Sequence, residues 1–235
     1  MADKKQVQDM DSNEKVIAKA KDFWTKYSKQ IMIACTVIIV AIGGYYIYQN
    51  FFKDPKETKA KEAMFRAEEY YRMDSVNKAL NGDGQNAGFL RVIKQYGGTK
   101  AGKLARFYAG SCYIKLNDNQ NAIAQLKKFS TSSKPLQARA YKLLADAYGD
   151  LGKNSEALEY YKKAAHHFED DQLNAAEALF MAAYLDHKVI NNSKEAIELY
   201  TELKQKFADV RLNGETVADL ADKYLAQLGV YSTAE

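Results

Sequence analysis

Apolar and polar positions along the chain follow two regimes. From Gln30 to Phe52 (QIMIACTVIIVAIGGYYIYQNFF) there is no charged residue in 23 positions, and Lys29 and Lys53 bound the run. At a helical rise of about 1.5 Å per residue this stretch reaches roughly 35 Å, enough for a hydrocarbon core of about 30 Å. Past Lys53 the apolar residues recur at helical spacing with charged positions between them, which predicts a series of amphipathic helices.

Upstream of the apolar run, Met1–Met10 is polar and expected to lack regular structure. Asp11 with Glu14 resembles a capping box, after which Val16, Ile17, Ala20, Phe23, Trp24 and Tyr27 recur on one face, with Lys15, Lys19, Lys26 and Lys29 on the other. Two readings fit this segment: a continuation of the spanning helix into water, or an interfacial helix on anionic headgroups with Trp24 and Tyr27 at the boundary. The long polar lead and the absence of a small-residue cleavage site favour a retained signal-anchor over a cleaved signal peptide.

Downstream, Pro55 opens a helix of about 20 residues with Ala60, Met64, Ala67 and Tyr71 in one stripe and Ala63 and Tyr70 beside it. Asp74 or Ser75 caps a short continuation to Leu80. Asn81-Gly82-Asp83-Gly84 is a turn and not a calcium loop, because it lacks further acidic ligands and a late Glu. Phe89, Val92, Ile93 and Tyr96 mark a small helix that Gly97-Gly98 ends, and Thr99 is placed to cap the next. A last helix, about Gly214–Leu228, sets Val217, Leu220, Ala221, Tyr224, Leu225 and Leu228 on one face and would close the end of a stack.

Between these ends the chain repeats. Ala105, Gly110, Tyr113, Ala122 and Leu126 align with Ala140, Ala145, Tyr148, Ala157 and Tyr161 at a constant offset of 35. Glu156–Phe168 (EALEYYKKAAHHF) then aligns at an offset of 39 with Glu195–Phe207 (EAIELYTELKQKF). A period in the mid-thirties built from two helices predicts a helical solenoid. Ala109-Gly110, Tyr113, Ala122 and Leu126, followed by Leu144-Ala145, Tyr148, Ala157 and Tyr161, resemble the tetratricopeptide repeat (TPR). Small residues allow close helix approach, and the Tyr and late aromatic fill the space between neighbours. The early Trp is missing, Pro135 stands one residue late, and His187 stands where the third Tyr is expected.

The expected architecture is all-α: a single N-terminal transmembrane helix followed by a TPR-like helical solenoid. Its parts are a cytosolic tail with an amphipathic helix (1–29), the transmembrane signal-anchor (30–52), a degenerate first repeat with its connecting helix (53–98), TPR repeats (99–210) and a C-terminal capping helix (211–235). In TPR solenoids the first helix of each repeat lines the binding groove. Carried over by position, the groove comprises Phe107, Ser111, Ile114, Arg139, Lys142, Asp146, Met181, Leu185 and Lys188. Repeats that clamp a C-terminal carboxylate use Lys and Asn on consecutive repeats. Phe107 and Ser111 in the first repeat, and Lys142 and Asp146 in the second, depart from that pattern. Gly43 and Gly44 are candidates for helix packing within the membrane.

Charge separates the halves little. The 34 basic and 30 acidic residues divide into seven Lys against five acidic residues before residue 31 and a nearly balanced remainder, so no basic stripe invites nucleic acid. Four Lys lie within 15 residues on each side of the span, a tie that leaves orientation to the short lysine-bearing tail and the length of the C-terminal part. Cys35 and Cys112 fall in different regions and form no disulfide framework. No nucleophile, phosphate-loop or zinc motif is present, and the adjacent His166 and His167 point about 100° apart, a poor metal pair without a third ligand. No enzyme activity and no cofactor are therefore expected. Many of the 17 Tyr fall at repeat-packing positions, among them Tyr113, Tyr148, Tyr161 and Tyr200, so core filling is favoured over a stacking platform for bases or sugars.

The layout of tail, anchor and solenoid resembles the YfgM-type ancillary subunits of the bacterial Sec translocon. That resemblance implies a single-pass inner-membrane protein with a cytoplasmic N-terminus and a periplasmic repeat domain. Its implied partners are SecYEG, a PpiD-type membrane-anchored chaperone and emerging client polypeptides, with the lipid bilayer contacted through residues 30–52. The alternatives are a TPR scaffold for another envelope-assembly or cell-division complex, and a membrane-anchored receptor with cytosolic TPRs.

Overall fold

The computed structural model describes residues 2–231, which divide into two compact units at Pro55–Lys56. In the first unit, α1 (Ala2–Tyr48) is one helix that passes into a π-helical segment, Gln49–Lys53. The section Val16–Tyr48 is long and apolar enough to cross a membrane. Ile33, Val37, Ile39 and Val40 are each more than 60% exposed, so this is not the covered core helix of a soluble domain. The helix starts at Ala2 and not after Met10, because no Pro or Gly interrupts the chain before Gly43. It runs through Asp11 without a boundary, and the side chains of Asp11 and Glu14 lie outside the described residues. Residues 16–29 therefore continue the apolar helix directly.

The second unit contains α2 (Asp54–Arg72, whose first two residues precede the division), α3 (Val76–Asn81), α4 (Phe89–Tyr96), α5 (Lys100–Lys115) and α6 (Asn119–Leu126). It continues with α7 (Lys134–Asp150), α8 (Asn154–His167), α9 (Gln172–Leu185), a π-helical turn (Asp186–Ile190) and α10 (Ser193–Phe207). A small hairpin, β1 (Arg211–Leu212) with β2 (Glu215–Thr216), leads into α11 (Val217–Gln227). The predicted last helix starts later than Gly214 because Asn213 and Gly214 both adopt positive φ and close this hairpin, as an Asn-Gly pair favours. Residues 232–235 of the expected capping segment lie outside the described residues.

The helix starts are fixed by short-range chemistry. The Thr99 hydroxyl accepts from the Gly102 N–H at 2.9 Å, the expected cap of α5. Glu57, on α2, supplies a second cap from 43 residues away: its carboxylate accepts from the Lys100 and Ala101 N–H groups at 2.7 and 2.9 Å. Asp118 caps α6 and Thr216 caps α11 in the same way as Thr99. Gly82 and Gly84, both at positive φ, turn the chain between α3 and α4.

Two hydrophobic cores meet at α5. Ala101, Ala105, Ala109 and Cys112 face a core shared with Met64, Leu80, Phe89 and Val92 of α2–α4. Phe107 faces the main core, which runs through Leu126, Leu144, Tyr161, Leu179, Tyr200 and Leu203 to Val217. Leu104 and Tyr108 touch both. Paired helices approach closely because the crossing positions are small. A Cβ on Gly110 would lie 2.5 Å from Leu126 Cγ, and one on Gly102 would lie 1.9 Å from the Tyr96 carbonyl oxygen.

The π turn after α9 has a counterpart in the repeat lengths. From the start of α7 to α8 is 20 residues, and from α9 to α10 is 21. A π turn takes up one extra residue in a helix. It places Asp186, rather than an aromatic residue, in the core: Asp186 is fully buried and neither carboxylate oxygen has a hydrogen-bond partner among the described residues. Burial raises its pKa, the Glu195 carboxylate raises it further, and Lys162 offsets this in part.

Two predictions follow from packing and burial. Overpacking costs about 1–3 kcal/mol against a helix-propensity gain of about 1 kcal/mol, so Gly110→Ala is expected to lower stability by up to about 2 kcal/mol. Gly102→Ala should lower it more, since backbone and not a side chain must yield; thermal melts of the two variants give the order. For Asp186 the folded-state pKa lies above the unfolded value, so its contribution is most favourable below the ordinary carboxylate range and is lost as pH rises through the raised value. Asp186→Asn is therefore expected to gain stability over wild type progressively from about pH 4 upward, measured by urea titration at pH 5 and pH 8. A difference independent of pH would contradict this.

Candidate functional site

The residues expected to line one groove occupy different environments. On α5, Phe107 is only 6% exposed and packs on Phe129 and Tyr108 with ring centroids 5.5 and 5.6 Å apart. Ser111 is buried too, its hydroxyl 2.7 Å from the Tyr71 hydroxyl of α2. Neither lies on an open surface: Ser111 is covered by α2, and Phe107 turns into the main core against Phe129. Ile114 is half-buried against the main core.

On α7 and α9 the surface is open. Arg139 is exposed, and with Lys142, Asn174 and neighbouring residues it lines a crevice of about 10 Å³, room for a single water. Lys142 Nζ lies 3.8 Å from Asp146 and 3.4 Å from Glu177 across on α9. Asp146 also accepts a 2.6 Å hydrogen bond from the Tyr161 hydroxyl of α8. Burial raises the Asp146 pKa, while the Tyr161 hydrogen bond and Lys142 pull it back. Met181 and Leu185 are half-buried. Exposed Lys188 donates to Gln227 of α11 at 2.7 Å and lies 5.9 Å from the Tyr224 ring.

Next to these residues stands an aromatic group that sequence reasoning did not single out. Tyr224 of α11 meets Phe180 at 5.5 Å and Tyr184 at 5.8 Å, and stacks on Tyr200 at 5.2 Å. Tyr200 is fully buried, Phe180 and Tyr224 are half-buried, and Tyr184 is exposed. The face from α7 to α11 thus combines an apolar strip with a Lys142–Asp146–Glu177 charge group, Lys188 held by Gln227, and exposed Arg139.

Polar chemistry elsewhere is largely structural. Burial pushes the Cys112 thiol up to about 12, which leaves no thiolate at neutral pH, as expected of a small core residue. The Asn81–Gly84 turn is held by Asp83, which accepts from the Gln85 and Asn86 N–H groups and from the Tyr70 hydroxyl at 2.6 Å. Those hydrogen bonds, Tyr70 first, hold the Asp83 carboxyl well below the usual range. On α1, Gly43 and Gly44 have nothing within 4 Å of where a Cβ would stand.

His166 has the third-ligand company that the sequence did not show. Its Nε2 is 2.8 Å from Glu202 Oε1 on α10, and the ligand atoms of His166, Glu169 and Glu202 all lie within 4.8 Å of one another. Lys206 donates to Glu169 at 2.7 Å and lies 3.0 Å from Glu202. The repeat offset contained the signal. At 39 residues His166 maps to Gln205 on the neighbouring second helix, and Glu202 lies one turn before it.

Comparison with known proteins agrees with this geometry. The tetratricopeptide repeat-like domain matches residues 21–170. The nearly identical TPR-like repeats of a Podosopora anserina kinesin light chain superpose with a TM-score of 0.53 at 15% identity, covering 73% of this chain and 86% of that one. The apo form of RapI superposes with a TM-score of 0.55 at 15% identity, covering 86% of this chain and 61% of the other. At such identities both likenesses concern the fold alone. No curated protein matches. With a family match over more than half its length and the repeat geometry described above, the chain belongs to the tetratricopeptide repeat-like domain family.

Proposed function

We propose that this chain is a membrane-tethered, non-catalytic interaction protein that α1 and the π-helical segment after it anchor in a bilayer through residues 30–52, and whose repeat unit binds polypeptide partners. One observation carries the reading: an uncovered apolar helix long enough for a bilayer occurs in the same chain as a TPR-like unit. Tethering raises the local concentration of whatever the repeats bind, so a weak contact suffices. The partner-facing surface is the α7–α11 face, from Arg139 and Lys142 through Met181 and Leu185 to Lys188.

The YfgM-type resemblance supports a finer assignment: an accessory subunit of the Sec translocon in the bacterial inner membrane, N-terminus cytoplasmic and repeats periplasmic. There it would meet SecYEG and a PpiD-type chaperone and help hand emerging secreted proteins to periplasmic chaperones. The seven Lys before residue 31 support that orientation. The four-against-four tie beside the span keeps one rival in play, a receptor with cytosolic repeats.

Alkaline phosphatase fused after Glu235 is expected to be active, and an inactive but intact fusion would reverse the orientation. Photo-crosslinkers at Lys142 and Met181 are expected to capture a translocon subunit, a membrane-anchored chaperone or a secreted client. Capture of an envelope-assembly or cell-division protein would keep the tether and overturn the Sec assignment. Gly43→Leu with Gly44→Leu is expected to weaken recovery of membrane partners from solubilised membranes; unchanged recovery would reduce α1 to an anchor.

A further inference from the structure

The end of α8 and the middle of α10 bring together a donor set outside the face discussed above. His166 closes α8, Glu169 follows it in the connection to α9, and Glu202 projects from α10. One imidazole nitrogen and two carboxylate oxygens, all within 4.8 Å of one another, come from segments 33 residues apart. In a tetrahedral zinc site with bonds of about 2.0–2.2 Å the ligand atoms stand about 3.3–3.5 Å apart. His166 Nε2 and Glu202 Oε1 are already at 2.8 Å, so they must separate slightly and Glu169 must swing inward. The Glu169 side chain is 42% exposed and free to do so.

A cation already stands in this cluster. The Lys206 ammonium bridges the two carboxylates at 2.7 and 3.0 Å. Surface ion pairs of this kind contribute about 0–1 kcal/mol each, and a displaced lysine regains its hydration, so the ammonium is a weak competitor for a divalent ion. The mixed nitrogen and oxygen donors select among ions. Magnesium and calcium prefer all-oxygen shells, whereas zinc takes imidazole together with carboxylate.

We propose that His166, Glu169 and Glu202 form a surface zinc site, with water completing the tetrahedron and Lys206 as the internal cation that zinc displaces. An ion there ties the end of α8 to α10 across consecutive repeats, replacing the His166–Glu202 and Lys206–Glu169 pairs at a junction also held by the Lys162–Glu195 pair at 2.6 Å and by core contacts. The site is separate from the α7–α11 face, so it stands or falls independently of the proposed function.

The test is titration of the full-length, detergent-solubilised chain with ZnCl₂ against a chromophoric chelator, with thermal melts in parallel. Wild type is expected to bind one zinc per chain and to melt higher with zinc, while MgCl₂ changes neither. Altering even an outer partner of a metal site costs about 10–100-fold in affinity, so His166→Ala and Glu202→Gln should each weaken binding more than tenfold. His167→Ala, which leaves the three donors in place, should bind as wild type. Lys206→Met removes the competing ammonium and should tighten binding. Equal zinc affinity in wild type and His166→Ala would overturn the proposal, as would looser binding by Lys206→Met, because the cluster would then be an ion-pair network only.

Discussion

Close approach of paired helices is the constraint on which the second unit depends. The inward faces of the repeat helices carry buried small residues: Ala105, Ala109 and Gly110 on α5, Ala140 and Ala145 on α7, Ala182 and Ala183 on α9, with Ala122, Ala157 and Ala196 on the second helices. Alanine buries little area itself. The stabilisation comes from the large side chains that the short interaxial distance lets reach across, such as Leu126, Tyr161, Leu179 and Tyr200, each contributing on the order of 1.5–3 kcal/mol when fully buried. Gly110 shows the tolerance: Leu126 occupies the volume a methyl group would need.

The same constraint explains why α5 behaves unlike the later first helices. It is a wall between two cores, with small residues towards α2–α4 and Phe107 towards α6 and α7. The earlier helices close the open end of the stack, and the Glu57 carboxylate at the start of α5 fixes their position by satisfying two amides that would otherwise lack partners. The open surface therefore starts one repeat later, at α7, than the groove expected from the sequence. Repeat spacing shows which residues are equivalent, but not that α2, outside the repeats, covers Ser111 or that Phe107 turns into the main core.

What could be read from the sequence had a local cause. The apolar run, the repeat pairs at 35 and 39, the Thr99 cap, the turn at Asn81–Gly84 and the core position of Cys112 all follow from residue type and spacing. The remainder depended on register or on distant partners. The change of offset from 35 to 39 hinted at irregular third-repeat geometry, yet only the backbone shows that a π turn takes up a residue and buries Asp186 where His187 was expected to stand for Tyr. The Asn213-Gly214 hairpin had a sequence signal that the helical pattern around it obscured. The His166–Glu169–Glu202 cluster needed the pairing of α8 with α10, which periodicity implies but does not resolve to a turn.

The balance of forces on the α7–α11 face bears on how a partner would be held. Most of its charges are already engaged: Lys142 shares Asp146 and Glu177, and Lys188 is held by Gln227, while Arg139 stands exposed. Exchanging the partly exposed pairs for contacts to a peptide is close to neutral in free energy, so they set few demands on its sequence. Asp146 is harder to free, because it is largely desolvated and bound to the Tyr161 hydroxyl, and disturbing it would leave a buried polar pair incomplete. Affinity then falls to Met181, Leu185 and the exposed edge of Tyr184, where a flexible thioether and an aromatic rim accept varied apolar side chains. A surface with exchangeable charges and an adaptable apolar strip suits weak binding of many polypeptides better than tight binding of one. Under the proposed membrane tethering, weak binding of that kind is sufficient.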